Sequence, residues 1–301
     1  MKVGNTLEAP SIIAGCMRYG FLLKEPQKVN EMIHAAMDLG INFFDHADIY
    51  GSEGLFGQAM AMDSSLKRED MIIQSKCGIK QGMYDLSKDY ILEAVDGILE
   101  RLQTDYLDIL LLHRPDALVE PEEVAQAFDI LKQSGKVLHF GVSNHKPAQI
   151  ELLKKYVKQP LIINQMQLSL PVSNMIANGM EVNMDTPGSI DHDDSVLDYC
   201  RLHDMTIQTW SPLQLPNWQG NFIGSDKNPK LNEKLDEIAS KYNVSPSTIA
   251  IAWILRHPAH MQVVAGTTNP SHLKEMAEAT KITLTRKEWY DLYLSAGHIL
   301  P

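Results

Sequence analysis

The stretch Gly40–Gly51 joins apolar and ionisable side chains in an order suited to proton transfer. Ile41, Phe43 and Phe44 read as a short buried strand that ends in Asp45, and His46, Asp48 and Tyr50 follow directly. A tyrosine hydroxyl, with a reference pKa of ~10, is a weak acid that is available at neutral pH. A lysine ammonium beside it favours the phenolate and lowers that pKa. Lys76 closes a second apolar run, Met71–Lys76, and His113 follows a third, Tyr106–Leu112. In this reading Tyr50 donates a proton, Lys76 tunes it, Asp45 fixes Lys76, and His113 orients a substrate oxygen. The set is a proton relay aimed at a developing alkoxide. It lacks a nucleophile and a metal, so it needs a partner that supplies hydride. A buried Asp45–Lys76 ion pair joining adjacent strands also explains those two residues, but it leaves Tyr50 and His113 unexplained.

These side chains converge only if their strands lie side by side and run the same way. The chain offers eight short, mostly apolar segments: Ser11–Cys16, Ile41–Phe44, Met71–Lys76, Tyr106–Leu112, Val137–Val142, Leu161–Ile163, Met205–Trp210 and Gln262–Ala265. Helical patterns alternate with them. Val29, Met32, Ile33, Ala36 and Met37 form an apolar stripe, with Pro26 near its start and Gly40 past its end. Ser87 caps a helix carrying Ile91–Leu102, Pro121 opens one that Gly135 closes, and Thr285-x-x-Glu288 is a capping-box pattern. Strands this apolar are buried on both faces, which implies parallel pairing. Eight β/α units in this length predict a (β/α)8 TIM barrel, with residues 1–301 forming one domain. The C-terminal ends of barrel strands share one face. There the sequence places Asp45, Lys76, His113, Ser143, Asn144, Gln165, Trp210 and Ser211.

Composition narrows the partners. Of 301 residues, 44% are apolar and 22% charged, ordinary for a soluble globular protein. The net charge of -11 argues against nucleic acid, which demands clustered Lys and Arg. No apolar run approaches the ~20 residues that cross a bilayer, and the first residues carry no signal-peptide core. Cys16, Cys77 and Cys200 are sparse and widely spaced, which suggests a reducing compartment and no zinc site. A cytoplasmic location is expected.

The motif Gly-Ile-Asn-Phe-Phe-Asp-His-Ala-Asp-Ile-Tyr-Gly resembles the strand-two signature of the aldo-keto reductases. Ser75-Lys76, Leu-Leu-His-Arg-Pro-Asp ending at Asp116, Gly-Val-Ser-Asn ending at Asn144, Asn164-Gln165, Trp210-Ser211-Pro212-Leu213 and Gly266-Thr267-Thr268 extend that resemblance over nearly the whole chain. It implies a small-molecule carbonyl substrate and a nicotinamide cofactor lying across the barrel mouth. Ser143, Asn144 and Gln165 match positions that hold the carboxamide, and Trp210 matches the aromatic that stacks on the nicotinamide. Asp45 belongs to the same cofactor-facing set. Ser211, Leu213 and the Gly15–Arg18 loop, with Met17 and Arg18, approach the pyrophosphate. After the last strand the phosphate-selective pattern of the family is altered. Gly266 and His272 stand where a Lys and an Arg usually grip the adenosine 2′-phosphate. Thr267, Thr268, Asn269 and free helix N–H groups remain, with Lys274 a turn further, and Glu275 matches an adenine contact. A modest preference for NADP(H) over NAD(H) is the expectation.

Two other readings compete. A barrel that binds cofactor as a regulatory or redox-sensing subunit keeps the fold and turns over little. A metal-dependent hydrolase using Asp45, His46, Asp48, His113 and a modified Lys76 lacks the His-x-His pair and the ligand spacing expected of it. The stretches 167–194 and 214–228 read as irregular loops that shape the substrate pocket. His46, His192, Asp193 and Asp194 read as loop polarity rather than pocket residues.

Overall fold

The computed structural model describes residues 1–300. Its centre is a closed barrel of eight parallel strands. They are β1 (Ile12–Gly15), β2 (Phe43–Asp45), β3 (Ile72–Cys77), β4 (Leu107–Leu112), β5 (Val137–Ser143), β6 (Leu161–Gln167), β7 (Thr206–Trp210) and β8 (Gln262–Ala265). Each follows its predecessor around the ring, and β8 pairs with β1 to close it. The fold is a (β/α)8 TIM barrel, and all eight expected strands are present.

Period-two alternation sorts each strand into an inside and an outside. Ile13, Phe43, Ile72, Ile109, Leu111, Ile163 and Val264 fill the barrel as one apolar cluster. Phe44, Ile73, Leu110, Leu112, Val142 and Ile207 face outward into a second, larger cluster with the helices. The inward series continues up each strand towards its C-terminal end. On β3 it runs Ile72, Gln74, Lys76, and on β4 Ile109, Leu111, then His113. Asp45 lies opposite Gln74 in the ladder between β2 and β3, two residues below Lys76. The same alternation that builds the apolar floor therefore delivers the polar side chains to the mouth.

The helices follow their sequence signals. The stripe from Val29 lies on α1 (Pro26–Asp38), and Gly40 past its end has φ +73°. Next come α2 (Glu53–Ala61), α3 (Lys88–Leu102), α4 (Pro121–Gln133) and α5 (Pro147–Lys154). Ser87 caps α3 by accepting the Tyr90 N–H. Around the remaining strands lie α6 (Asn174–Met180), α7 (Val196–Leu202), α8 (Pro229–Tyr242), α9 (Pro246–Leu255), α10 (Pro270–Glu278) and α11 (Arg286–Ser295). Thr285 and Glu288 form the capping box of α11.

Four small features escape the sequence reading. Lys2–Val3 pairs with Leu7–Glu8 as a hairpin whose Val3 joins the barrel-floor cluster. Ile79–Lys80 pairs with Met83–Tyr84. The stretch 167–194, expected to be irregular, contains α6, and 214–228 contains a tight hairpin bridged at Gln214 and Asn221. No helix of the described residues is long and apolar enough to cross a membrane.

Gly20 positions the Tyr50 loop. It sits in a π-helical turn, Tyr19–Leu23, and a Cβ there would lie 2.6 Å from the Tyr50 carbonyl oxygen and 2.7 Å from that of Gly51. Backbone cannot yield as a flexible side chain does. Gly20→Val should therefore cost about 1–3 kcal/mol of stability. Gly54→Ala in α2, where nothing lies within 4 Å of a new Cβ, should be neutral or stabilising. Urea unfolding of both variants checks this, and equal midpoints would contradict it.

Candidate active site

At the centre of the barrel mouth, Lys76 and Asp45 are almost fully buried, 1% and 3% exposed. The Lys76 Nζ donates to the Asp45 carboxylate at 2.8 Å, to the His46 carbonyl at 2.7 Å and to the Tyr50 hydroxyl at 3.5 Å. Its three protons thus have three acceptors. Burial by itself pulls the ammonium down, but the Asp45 carboxylate and Tyr50 outweigh it, and Lys76 titrates above its ordinary value. A raised lysine holds its stabilising charge below its unfolded value of ~10.4 and loses it only as pH rises through the folded value. The pair is therefore intact throughout the neutral range.

A layer of glutamines solvates Asp45 from below. The Gln74 Nε2 donates to the Asp45 carboxylate at 2.6 Å and the Gln165 Nε2 at 3.0 Å. Both also donate to the Gln208 Oε1, and Gln208 in turn donates to Gln262 at 3.1 Å. These four side chains, on β3, β6, β7 and β8, are buried. They are polar residues at inward positions of otherwise apolar strands. That periodicity is legible in the sequence, whereas the strand-end position marks only Gln165.

Tyr50 and His113 stand above the pair. Their rings meet edge to face with centroids 5.7 Å apart. The expectation that Lys76 lowers the Tyr50 pKa needs correction. Lys76 does act downward, but burial raises the hydroxyl more, and Tyr50 titrates above its ordinary value. Desolvation, then the charge of Lys76, push His113 down to about 2. It is a neutral imidazole at any ordinary pH. The His113 Nδ1 is buried without a protein partner.

A cleft of about 660 Å³ extends from these residues to α10. It is lined by Met17, Arg18, Asp45, Tyr50, His113, Ser143, Asn144, Gln165, Trp210, Ser211, Leu213, Gly266, Thr267, His272 and Glu275. Lys76 lies beneath its surface, and Thr268 does not line it. Asn144, at φ +59°, bonds the Ser143 Oγ through Nδ2 at 2.7 Å and accepts the Trp210 indole N–H at 3.1 Å. That chain of bonds fixes the plane of Trp210. The Arg18 guanidinium donates to the Gly266 carbonyl at 2.6 Å, tying the first strand's loop to the last.

The α10 end offers fewer anion donors than expected. Asn269 caps the helix by accepting the Ser271 N–H, and Pro270 has none to give. Among the described residues the His272 N–H is left without a backbone acceptor.

A second, polar pocket of about 340 Å³ adjoins the cleft and shares Arg114, Asn144, Trp210 and Trp218 with it. Gln167, Asn174, His192 and Asp193 complete its polar wall, and Met166, Val172 and Met175 form an apolar one. His192 and Asp193 are therefore pocket residues, contrary to expectation. His46 is neither pocket nor loop surface; it is fully buried and bonded to Ser52 at 2.9 Å. Trp218 stacks on Trp210 with centroids 5.4 Å apart and planes 16° apart, although it is 62% exposed. Its hairpin passes through left-handed backbone at Asn217 and Trp218. No sequence pattern foretells that pairing. Arg114 is legible as a mouth residue, since it follows His113 at a strand end. No three His, Cys, Asp or Glu side chains among the described residues come together as a metal site would require.

Comparison with known proteins gives a consistent family. The model of the aldo/keto reductase family matches residues 11–293. The chain is 34% identical to a 6-dehydroglucose reductase of Novosphingobium aromaticivorans, covering 100% of this chain and 96% of that protein. It is 35% identical to oxidoreductase YdhF of Escherichia coli, covering 89% and 88%. The solved structure of a thermostable aldo-keto reductase, Tm1743, with the inhibitor epalrestat superposes with a TM-score of 0.78 at 24% identity, over 98% of both chains.

The ion pair makes a stability prediction. Lys76→Met leaves a buried carboxylate without its cation and should cost about 3–5 kcal/mol. Adding Asp45→Asn removes the orphaned charge and should recover a large part of that loss. Urea denaturation of the two single variants and the double variant measures the coupling. Additive losses would contradict a direct interaction.

Proposed function

The chain belongs to the aldo/keto reductase family, and we propose that it reduces a small-molecule aldehyde or ketone to the alcohol, with Tyr50 as the general acid. The observation that carries this reading is the assembly of Asp45, Lys76 and Tyr50 in hydrogen-bond sequence at the mouth, with neutral His113 against the Tyr50 ring. When bound, a reduced nicotinamide supplies the hydride. Tyr50 gives its proton to the carbonyl oxygen as that oxygen becomes an alkoxide. The Lys76 ammonium stabilises the phenolate left behind, and Asp45 holds Lys76 in place. His113, uncharged, orients the oxygen through a neutral hydrogen bond. Because burial keeps Tyr50 protonated at neutral pH, the acid is ready in the direction of reduction.

The cleft fits such a cofactor. Ser143, Asn144 and Gln165 would hold the carboxamide, though the Gln165 Nε2 is already committed to Asp45 and Gln208. Trp210, locked by Asn144, presents a flat wall to the nicotinamide. Met17, Arg18, Ser211 and Leu213 would flank the pyrophosphate, and Glu275 the adenine. Gly266, Thr267 and His272 would meet the adenosine phosphate. This is a thin clamp, and it supports only a modest preference for NADP(H) over NAD(H).

The polar pocket bears on the substrate. Arg114 donates only, Asp193 accepts, and Gln167, Asn174 and His192 do both, beside the indole of Trp218. Hydroxyl groups also donate and accept, so a polyhydroxylated carbonyl compound finds partners on this wall that an alkyl one cannot use. The relatives named 6-dehydroglucose reductase, at 34% and 32% identity, support that substrate class. A panel of carbonyls assayed with both reduced nicotinamides tests it. Polyhydroxylated carbonyls should show the higher kcat/KM, and NADPH the lower KM at low salt. A preference for alkyl aldehydes, or for NADH, would overturn the corresponding part.

Tyr50→Phe should lower kcat by roughly 10²–10⁴-fold while cofactor affinity stays within about twofold. In the wild type, reduction should fall only on the alkaline side, as Tyr50 loses its proton. His113 should add no limb between about pH 5 and pH 8, because it is already neutral there. A Tyr50→Phe enzyme with undiminished single-turnover reduction would remove Tyr50 from the role.

A further inference from the structure

A third cavity, of about 390 Å³, lies on the outer wall of the barrel and shares only Met175 with the pockets above. It is enclosed by α6, α7, the turn after α9 and α11. Arg201, Arg256, Arg286 and His257 line it, against an apolar floor that includes Met180 and Trp289. Asp198 is the one carboxylate of its lining. In a chain of net charge -11, three guanidinium groups converging on one cavity run against the overall balance.

The arginines are not consumed by the fold. Arg256 is held by its Nε, which donates to the Leu284 carbonyl at 2.8 Å, while its terminal nitrogens have no protein acceptor among the described residues. Arg286 makes no ion pair and no side-chain hydrogen bond among the described residues. Arg201 reaches Asp198 only at 3.5 Å, with both side chains well exposed. Such a surface pair is weak and easily exchanged for a better acceptor. The His257 Nδ1 accepts the Ala259 N–H at 3.1 Å, which leaves Nε2 as the ring's donor. The floor is rigid, since Trp289 stacks on Trp253 at 4.9 Å and on Tyr293 at 5.8 Å, with planes within 12° and 9°.

We infer that this cavity binds a small organic anion, a carboxylate, sulfonate or phosphate on a flat apolar body. The anionic group pairs with Arg256 and Arg286, whose planar forks match it bidentately. The body packs on Met180 and Trp289, in a volume within the range of small-molecule sites.

The probe is 1-anilinonaphthalene-8-sulfonate, titrated by fluorescence into protein saturated with NADP(H), so that the main cleft is already filled. Saturable binding of one equivalent is expected. Arg286→Gln, at an exposed position, should weaken it by about tenfold, and Arg256→Gln with Arg286→Gln by more. The uncharged analogue N-phenyl-1-naphthylamine should bind at least about tenfold more weakly to the wild type. Circular dichroism and cofactor affinity verify that each variant is folded. Affinity unchanged in Arg286→Gln, or equal for the charged and uncharged probes, overturns the assignment. Neither outcome touches the reductase reading, because no turnover is measured.

Discussion

A full positive and a full negative charge sit inside the barrel, and everything above them depends on their contact. Removing two such ions from water costs several kcal/mol each, so proximity alone does not hold them. What offsets the cost is complete hydrogen bonding. Lys76 spends its protons on Asp45, the His46 carbonyl and Tyr50, and the Asp45 carboxylate receives Gln74 and Gln165 as well as Lys76. The bond to the His46 carbonyl reaches past the ion pair into the loop that carries Tyr50. One ammonium thus fixes the loop's backbone and touches its hydroxyl.

Much of this was legible in the sequence because strand alternation is a strict rule. A residue two positions beyond an inward Ile or Phe must also face inward, and at a C-terminal strand end it enters the mouth. Reading the polar residue at each strand end gathers Asp45, Lys76, His113, Ser143, Gln165 and Trp210, which the structure brings to one face. It failed where position depends on turn geometry or on contacts distant in sequence. Trp218 reaches Trp210 only because the hairpin bridged at Gln214 and Asn221 folds back through left-handed residues. His192 and Asp193 lie outside any periodic segment, so nothing in the sequence brings them to the mouth. The sign of the Tyr50 shift was misjudged for a different reason. Charge proximity can be argued from sequence, whereas the depth of burial that outweighs it cannot.

The stretch 167–194 after β6 serves two cavities. Asn174 and Met175, at the start of α6, line the polar pocket beside Trp218, and Met175 also lines the arginine-bearing cavity. One short helix is therefore a shared wall between the substrate side of the mouth and the outer surface. The glutamine layer is internal to the barrel. It ties β3, β6, β7 and β8 together below the site, so the floor on which the ion pair rests is fixed from four strands at once.

Lys76 offsets part of what burial does to the Tyr50 hydroxyl, and the pH profile of carbonyl reduction in wild type and Lys76→Met tests this most directly. With the cation gone, burial acts on Tyr50 against Arg114 alone. The result expected is a slower enzyme whose alkaline limb moves to higher pH. A folded Lys76→Met enzyme with the wild-type rate and an alkaline limb in the same place would contradict it.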